Sequence, residues 1–246
     1  MTKAEIQHLR SLGDKRTRDA EGLFIAEGDK LVEEILSSHL RVRKVYTTRS
    51  DMSGAVIEQI DRRDMERISA LKTATATIAV VEQPRHKLNI SNLDGRLTLA
   101  LDGVQNPGNL GTIIRLADWF GIEDILCTKE CADCYNPKVV QATMGAILRV
   151  RVHYVDDLAA MLVSLRDKGT AIYGTLLDGQ GIYTTELRQE GIIVMGNEGR
   201  GLSDACRAVV SHKLLIPPYP ATRSTSESLN VAMATGIVLA EFRRRG

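Results

Sequence analysis

Apolar residues recur along this chain with two periods, and the change from one to the other marks its elements. Leu31, Val32, Ile35 and Leu36 fall at helical spacing, with Asp29 as the expected cap. Ile6 to Leu12 carries a shorter helical pattern. In RVRKVYT, Arg41 to Thr47, polar and apolar residues alternate as in a half-buried strand. Phe24-Ile25-Ala26 and the β-branched run Thr75 to Val81 are further strands. Val56 to Ile60 and Met65 to Leu71 suggest more helix. Asp14 to Gly22, charged and without an apolar stripe, is expected to loop. Glu82 to Gly95 contains Pro84 and no period, which marks a linker.

From Arg96 the alternation becomes regular. Strands are expected at Arg96–Leu101, Asp124–Thr128, Leu148–Val152, Thr170–Leu176, Gly191–Met195 and Lys213–Ile216. Helices are expected to end near Phe120 and to span Pro137–Ala146, Asp156–Lys168, Ser203–Val210 and Leu229–Arg244. Strand–helix alternation predicts an α/β fold with a mostly parallel sheet. LTLAL and GIIVM are apolar throughout, as strands covered on both faces are. The expected organisation is a smaller α/β domain over residues 1–85, a linker over 86–94 and a larger domain over 95–246.

The chain has 246 residues, room for one large or two small domains. No run approaches the roughly 20 apolar residues of a membrane span, and no apolar stretch of a secretory signal is visible at the start. A cytoplasmic protein is the expectation. The net charge of +1 makes no overall case for nucleic acid. Residues 1–90 carry 16 basic and 14 acidic groups, so a nucleic-acid surface has to be local. Candidate clusters are Lys15, Arg16 and Arg18; Arg41, Arg43 and Lys44; and Arg243 to Arg245, each of which is equally a solvated face.

CTKECADC places Cys127, Cys131 and Cys134 at the C-x3-C-x2-C spacing of radical S-adenosylmethionine enzymes, whose thiolates hold a [4Fe–4S] cluster. The match is one of spacing alone, mid-chain at a strand end. The plainer reading makes Cys127 a small buried apolar residue and the other two incidental. A zinc site lacks a fourth ligand at suitable spacing, so no metal site is expected.

Three loops at the carboxyl ends of strands carry the chemistry, where open α/β sheets bind ligands. In DGVQNPGN the glycines run Gly103, Gly108, Gly111, too widely set for a dinucleotide turn, although Glu130 stands where a ribose-binding acid would. In the helix that follows, Leu110, Ile113, Ile114 and Ala117 make the core stripe, and Arg115 lies on another face with Gly108, Gly111 and Asp118. Arg115 is then either functional or simply paired to Asp118. MGNEGRGLS sets three glycines around Glu198, with Ser203 able to cap the next helix. IPPYPATRSTSESLNVAMATG breaks regular structure with Pro217, Pro218 and Pro220, then opens a helix of small residues, with Ser226 or Ser228 as candidate caps.

Taken together, NLGTIIR, VMGNEGRGLS and IPPYPATRSTSESLNVAMATGIVLAE resemble, in order, the three motifs of the SpoU (TrmH) branch of the SPOUT RNA methyltransferases. YNPKVVQATMGA also resembles a stretch common in that family. The resemblance covers about residues 95–246, and the first 85 are similar to the family's L30e-like RNA-binding domain. It implies a deep trefoil knot, an S-adenosyl-L-methionine cofactor and a homodimer with its site near the subunit interface. It implies methylation of a ribose 2′-hydroxyl in RNA, in rRNA more than tRNA. Carried onto this sequence, the catalytic set is Asn109, Arg115, Glu198, Ser228 and Asn230. The cofactor set is Gly196, Ile216 and Leu229, with Leu176 lining the pocket. Ala221 to Glu227 reads as a small insertion against the family pattern. Arg115 is either a base tuned by a phosphate or, since free Arg has a pKa above about 12, an anchor for phosphate and forming alkoxide. A non-catalytic RNA-binding protein on the same fold would be expected to lack Arg115 or Asn230, and both are present.

Overall fold

The computed structural model describes residues 1–220 and 228–244, so the Ala221–Glu227 stretch, Ser226 and Arg245 lie outside the described residues. The chain forms two compact units. The first is Met1–Arg85 with Asp133–Leu148, and the second is His86–Ala132 with Arg149–Gly246.

In the first unit, helices α1 (Lys3–Ser11) and α2 (Lys15–Glu21) precede β1 (Leu23–Glu27), α3 (Asp29–Leu36), β2 (Val42–Thr47), β3 (Ile57–Gln59), α4 (Arg62–Ile68) and β4 (Thr77–Glu82). The four strands form one mixed sheet in the order β1-β4-β2-β3, with only β2 and β3 parallel.

Three expectations change here. Asp14 to Gly22 is a helix and not a loop. Asp14 caps its start and Gly22, at φ +65°, ends it. Its one buried side chain is Arg18, which donates to the Leu12 and Gly13 carbonyls and to Asp133 at 2.5 Å. A buried arginine leaves no apolar stripe to read. Within Val56 to Ile60, where helix was expected, Ile57–Gln59 is strand, because it hydrogen-bonds beside β2; Val45 pairs with Ile57. Asp29 is the first helical residue and not the cap, since Gly28 precedes the helix and Asp29 accepts from the Thr77 hydroxyl at 2.8 Å.

The second unit is built on β5 (Leu97–Asp102), α5 (Pro107–Trp119) and β6 (Asp124–Thr128). After α6 (Pro137–Thr143), which belongs to the first unit, come β7 (Arg151–Val155), α7 (Leu158–Arg166), β8 (Ile172–Gly181), β9 (Gly191–Gly196), α8 (Asp204–Val209), β10 (His212–Leu215) and α9 (Val231–Arg244). The expected strand at Leu148 starts at Arg151, because residues 146–148 form a 3-10 turn. All six strands are parallel, in the order β10-β8-β9-β5-β6-β7. Residues 97–101 and 191–195 are buried without alternation. Both faces are covered, as parallel sheets require. The core against α7 and α8 holds Ala100, Leu126, Leu162, Leu165, Ile192, Val194 and Val209, and α9 packs on α5 and β9. β5 opens the unit and later strands are laid on either side of it. Its carboxyl end, beside that of β9, is therefore the switch point where such sheets bind ligands.

Candidate active site

At that switch point two strands end in loops that hold each other. After β5 the chain turns through Gly103, at φ +74°, and reaches Asn106-Pro107. Asn106 caps α5 by accepting from the N–H groups of Gly108 and Asn109 at 2.8 and 3.1 Å, and Pro107 occupies the first helical position, where no N–H is needed. After β9 the chain makes a tight turn closed by reciprocal backbone bonds of 2.9 Å between Asn197 and Gly201. The Asn197 side chain accepts from the N–H groups of Gly199 and Arg200 and donates to the Gly103 carbonyl at 2.7 Å. Asp102 accepts from the Ser203 N–H at 2.7 Å, and Ser203 caps α8 as expected.

Glu198, Asn109 and Asn230 form a relay across this junction. The Asn109 Nδ2 donates to Glu198 Oε1 at 2.9 Å, and its Oδ1 accepts from Asn230 Nδ2 at 3.0 Å. The Asn230 Oδ1 in turn accepts from the N–H groups of Ala232 and Met233. Asn230, not Ser228, therefore caps α9. A carboxylate accepts at one end and backbone N–H groups donate at the other, so both amides have a fixed sense. Burial pushes the Glu198 carboxyl up, but the Asn109 amide and the N–H groups of Glu198, Asn106 and Gln105 outweigh it and hold it below its ordinary range. Glu198 is thus an ionised acceptor at neutral pH.

A cleft of about 430 Å³ opens beside the relay. Leu176, Gly196, Ile216 and Leu229 all line it, with Glu198 and Ser228. The sequence thus picked residues that four separate segments bring to one place. Arg115 is not among the lining residues. It is exposed on α5, and Asp118 pairs with Arg149 at 2.9 Å, so the Arg115–Asp118 pair does not form. The sequence reading passed over Asn106 and Asn197. An Asn-Pro pair before an apolar stripe is a readable helix start, whereas nothing in sequence signals a side chain that ties one loop to another.

The cysteines have other roles. Cys127, Cys131 and Cys134 are buried, and Cys131 donates its thiol to the Leu101 carbonyl at 3.2 Å. Hydrogen bonding from Cys127 lowers the Cys131 thiol to about 7. Among the described residues no cluster of three or more His, Cys, Asp or Glu could hold a metal ion.

An all-parallel sheet with a polar relay and a largely apolar cleft at its switch point defines a ligand-binding α/β class. Residues 96–240 match the SpoU rRNA Methylase family, and residues 3–88 match an MRM3-like substrate binding domain. The chain belongs to the SpoU methylase family. It is 30% identical to the 23S rRNA (guanosine(2553)-2′-O)-methyltransferase RlmP of Bacillus subtilis over 97% of this chain and 96% of that one. Among solved structures it is similar to a TrmH-family protein from Porphyromonas gingivalis, with TM-score 0.88 and 38% identity over 100% and 99% of the two chains. It is also similar to the AdoMet-bound rRNA methyltransferase from Sinorhizobium meliloti, with TM-score 0.87 and 27% identity over 100% and 96%.

Proposed function

We propose that this protein methylates a ribose 2′-hydroxyl of rRNA, using S-adenosyl-L-methionine. The observation that carries the reading is the Glu198–Asn109–Asn230 relay at the mouth of the Leu176–Gly196–Ile216–Leu229 cleft, in a chain of this family. Similarity to RlmP favours rRNA over tRNA.

The cleft suits the cofactor. Its volume of about 430 Å³ lies within the roughly 300–1,000 Å³ of small-molecule sites. Its apolar walls are Leu176, Leu202, Leu214 and Ile216, which suit a purine. At Gly196 a Cβ would lie 2.3 Å from the Gly201 carbonyl carbon, so the turn that walls the cleft closes against bare backbone. When bound, the cofactor supplies an electrophilic methyl on a sulfonium.

The rest is the work of the chain. Leu176, Gly196, Ile216 and Leu229 would hold and orient the cofactor. Asn109 and Asn230 position polar groups for the incoming ribose, Glu198 keeps Asn109 oriented, and Ser228 at the cleft edge offers a hydroxyl. Arg115 anchors RNA phosphate and stabilises the forming alkoxide. A homodimer fits this assignment. Arg115, Trp119 at 83% exposure and Met233 at 64% stand exposed on the packed pair α5 and α9, a surface that suits a second copy. The trefoil knot belongs to the same reading, supported by membership of the SpoU family. Among the described residues no helix is long and apolar enough to cross a membrane, and we place the protein in the cytoplasm, with its RNA.

The test is incubation with labelled S-adenosylmethionine and rRNA. Label in RNA that resists alkaline cleavage at one nucleotide is expected. Arg115→Ala is expected to abolish transfer while cofactor binding survives; near-normal turnover in that variant would remove Arg115 from the mechanism.

A further inference from the structure

The turn that carries Glu198 also carries an arginine that no ion pair holds. Arg200 is exposed, and among the described residues its guanidinium has neither a salt bridge nor a hydrogen-bond partner. Its backbone is fixed nonetheless, because its N–H donates to the Asn197 side chain at 3.1 Å. Its Nη2 lies 4.0 Å from where a Cβ on Gly103 would stand, over the loop that leads from β5 to Asn109.

Position makes this unusual. Arg200 lines the cofactor cleft and also a second cleft of about 320 Å³ on the other side of the turn. The other arginine in the cofactor cleft, Arg207, is neutralised by Asp178 at 2.9 Å. The second cleft is acidic, and three of its four carboxylates, all but Glu130, are held by other groups. Asp102 accepts from the Ser203 N–H, Asp156 pairs with Lys129, and Asp157 caps α7. Arg200 pairs with none of them, Glu130 included, and keeps its guanidinium donors available.

The basic clusters that the sequence offered are mostly spent elsewhere. Lys15 pairs with Asp19, Arg18 with Asp133, Arg43 with Glu82 and Lys44 with Glu58. Arg243 donates to the Phe120 carbonyl, and Arg244 pairs with Glu241. Local positive charge thus stands at the mouth of the site. A planar fork of donors without a partner suits a phosphodiester oxygen pair.

We propose that Arg200 clamps a backbone phosphate of the RNA beside the target nucleotide and so sets how its ribose enters the cleft. This rests on the RNA methyltransferase reading and adds a binding residue to it, distinct from Arg115 on α5.

The experiment compares wild type, Arg200→Ala and Arg200→Lys with two probes, deproteinised rRNA and S-adenosylmethionine. RNA affinity is measured by filter binding across a salt series, cofactor affinity by calorimetry, and KM and kcat by label transfer. Arg200→Ala is expected to weaken RNA binding and raise the RNA KM by about tenfold. It is expected to flatten the slope of log K against log salt by about 0.7, the share of one single-strand phosphate. Cofactor affinity stays the same. Arg200→Lys keeps the slope, since the charge is kept, but recovers only part of the affinity, since the fork is lost. An unchanged slope in Arg200→Ala overturns the proposal, and so does a loss of cofactor affinity in its place. The slope needs no turnover. If wild type binds rRNA but transfers no methyl, the methyltransferase reading fails and the salt series still decides on Arg200.

Discussion

The three glycines of the Gly196–Gly201 turn should respond to alanine in three different ways. At Gly196 a Cβ would lie 2.3 Å from Gly201 C, 2.5 Å from Leu202 N and 2.6 Å from Gly201 O, all backbone atoms. No side chain can swing aside, so the turn itself has to move by about 1 Å. That movement costs about 2 kcal/mol as overpacking. It also strains the two Asn197–Gly201 backbone bonds, at about 1 kcal/mol each if lost. Gly196→Ala should therefore cost about 3–4 kcal/mol and lower the Tm of the second unit by roughly 10 °C. Gly201 has open space around its Cβ position but sits at φ +69°, so alanine there should cost about 1–2 kcal/mol of left-handed strain. Gly199 has neither problem, since its nearest neighbour would be Asn197 Oδ1 at 3.7 Å, and alanine should be within about 0.5 kcal/mol of wild type. Calorimetric melts give the stabilities, and titration with S-adenosylmethionine gives the affinities. Gly196→Ala should lose at least about tenfold in cofactor affinity, because the displaced turn is a wall of the cleft. If Gly196→Ala melts with wild type, or if Gly199→Ala costs the most, close backbone approach is not what glycine serves here.

Two further outcomes follow from the charges. Asn109→Ala removes the amide that donates to Glu198, so the Glu198 carboxyl should titrate higher and the acid limb of kcat/KM should move to higher pH; an unmoved limb would mean the ionised carboxylate is not required. Buried Asp124 accepts from Arg151 at 2.6 Å and from His153 at 2.7 Å. Burial pushes its carboxyl up, but these bonds outweigh it and hold the group below its ordinary range. Its stabilisation is thus present above the ordinary Asp value and fades as pH falls through the lowered one. Asp124→Asn should cost about 3 kcal/mol near neutrality, and urea melts should show the gap to wild type closing below about pH 4; a pH-independent gap would refute the charge argument.

The parallel α/β unit was legible because its strands are covered on both faces. Burial on two faces writes uninterrupted apolar runs such as Leu97–Leu101 and Ile192–Met195, and those survive without any knowledge of neighbours. The loop motifs were legible because backbone geometry and chemistry there demand particular residues, such as Gly196 and Asn109. The α2 helix was not legible, since its buried side chain is a charged one whose partner, Asp133, lies 115 residues away. Nor was β3, which is three residues long and is strand only through its pairing with β2.

By itself, then, the sequence determined which polar and glycine residues sit in which strand-end loops, since those depend on residue type and local spacing. Tertiary structure alone decided which of them meet. It joined Asn109 to Glu198 across 89 positions and to Asn230 across 121. It also denied Arg115 its expected partner by giving Asp118 to Arg149, and it left Arg200 free while most of the basic clusters were neutralised. Pairing is a property of distance in space, and the chain order carries no record of that until it folds.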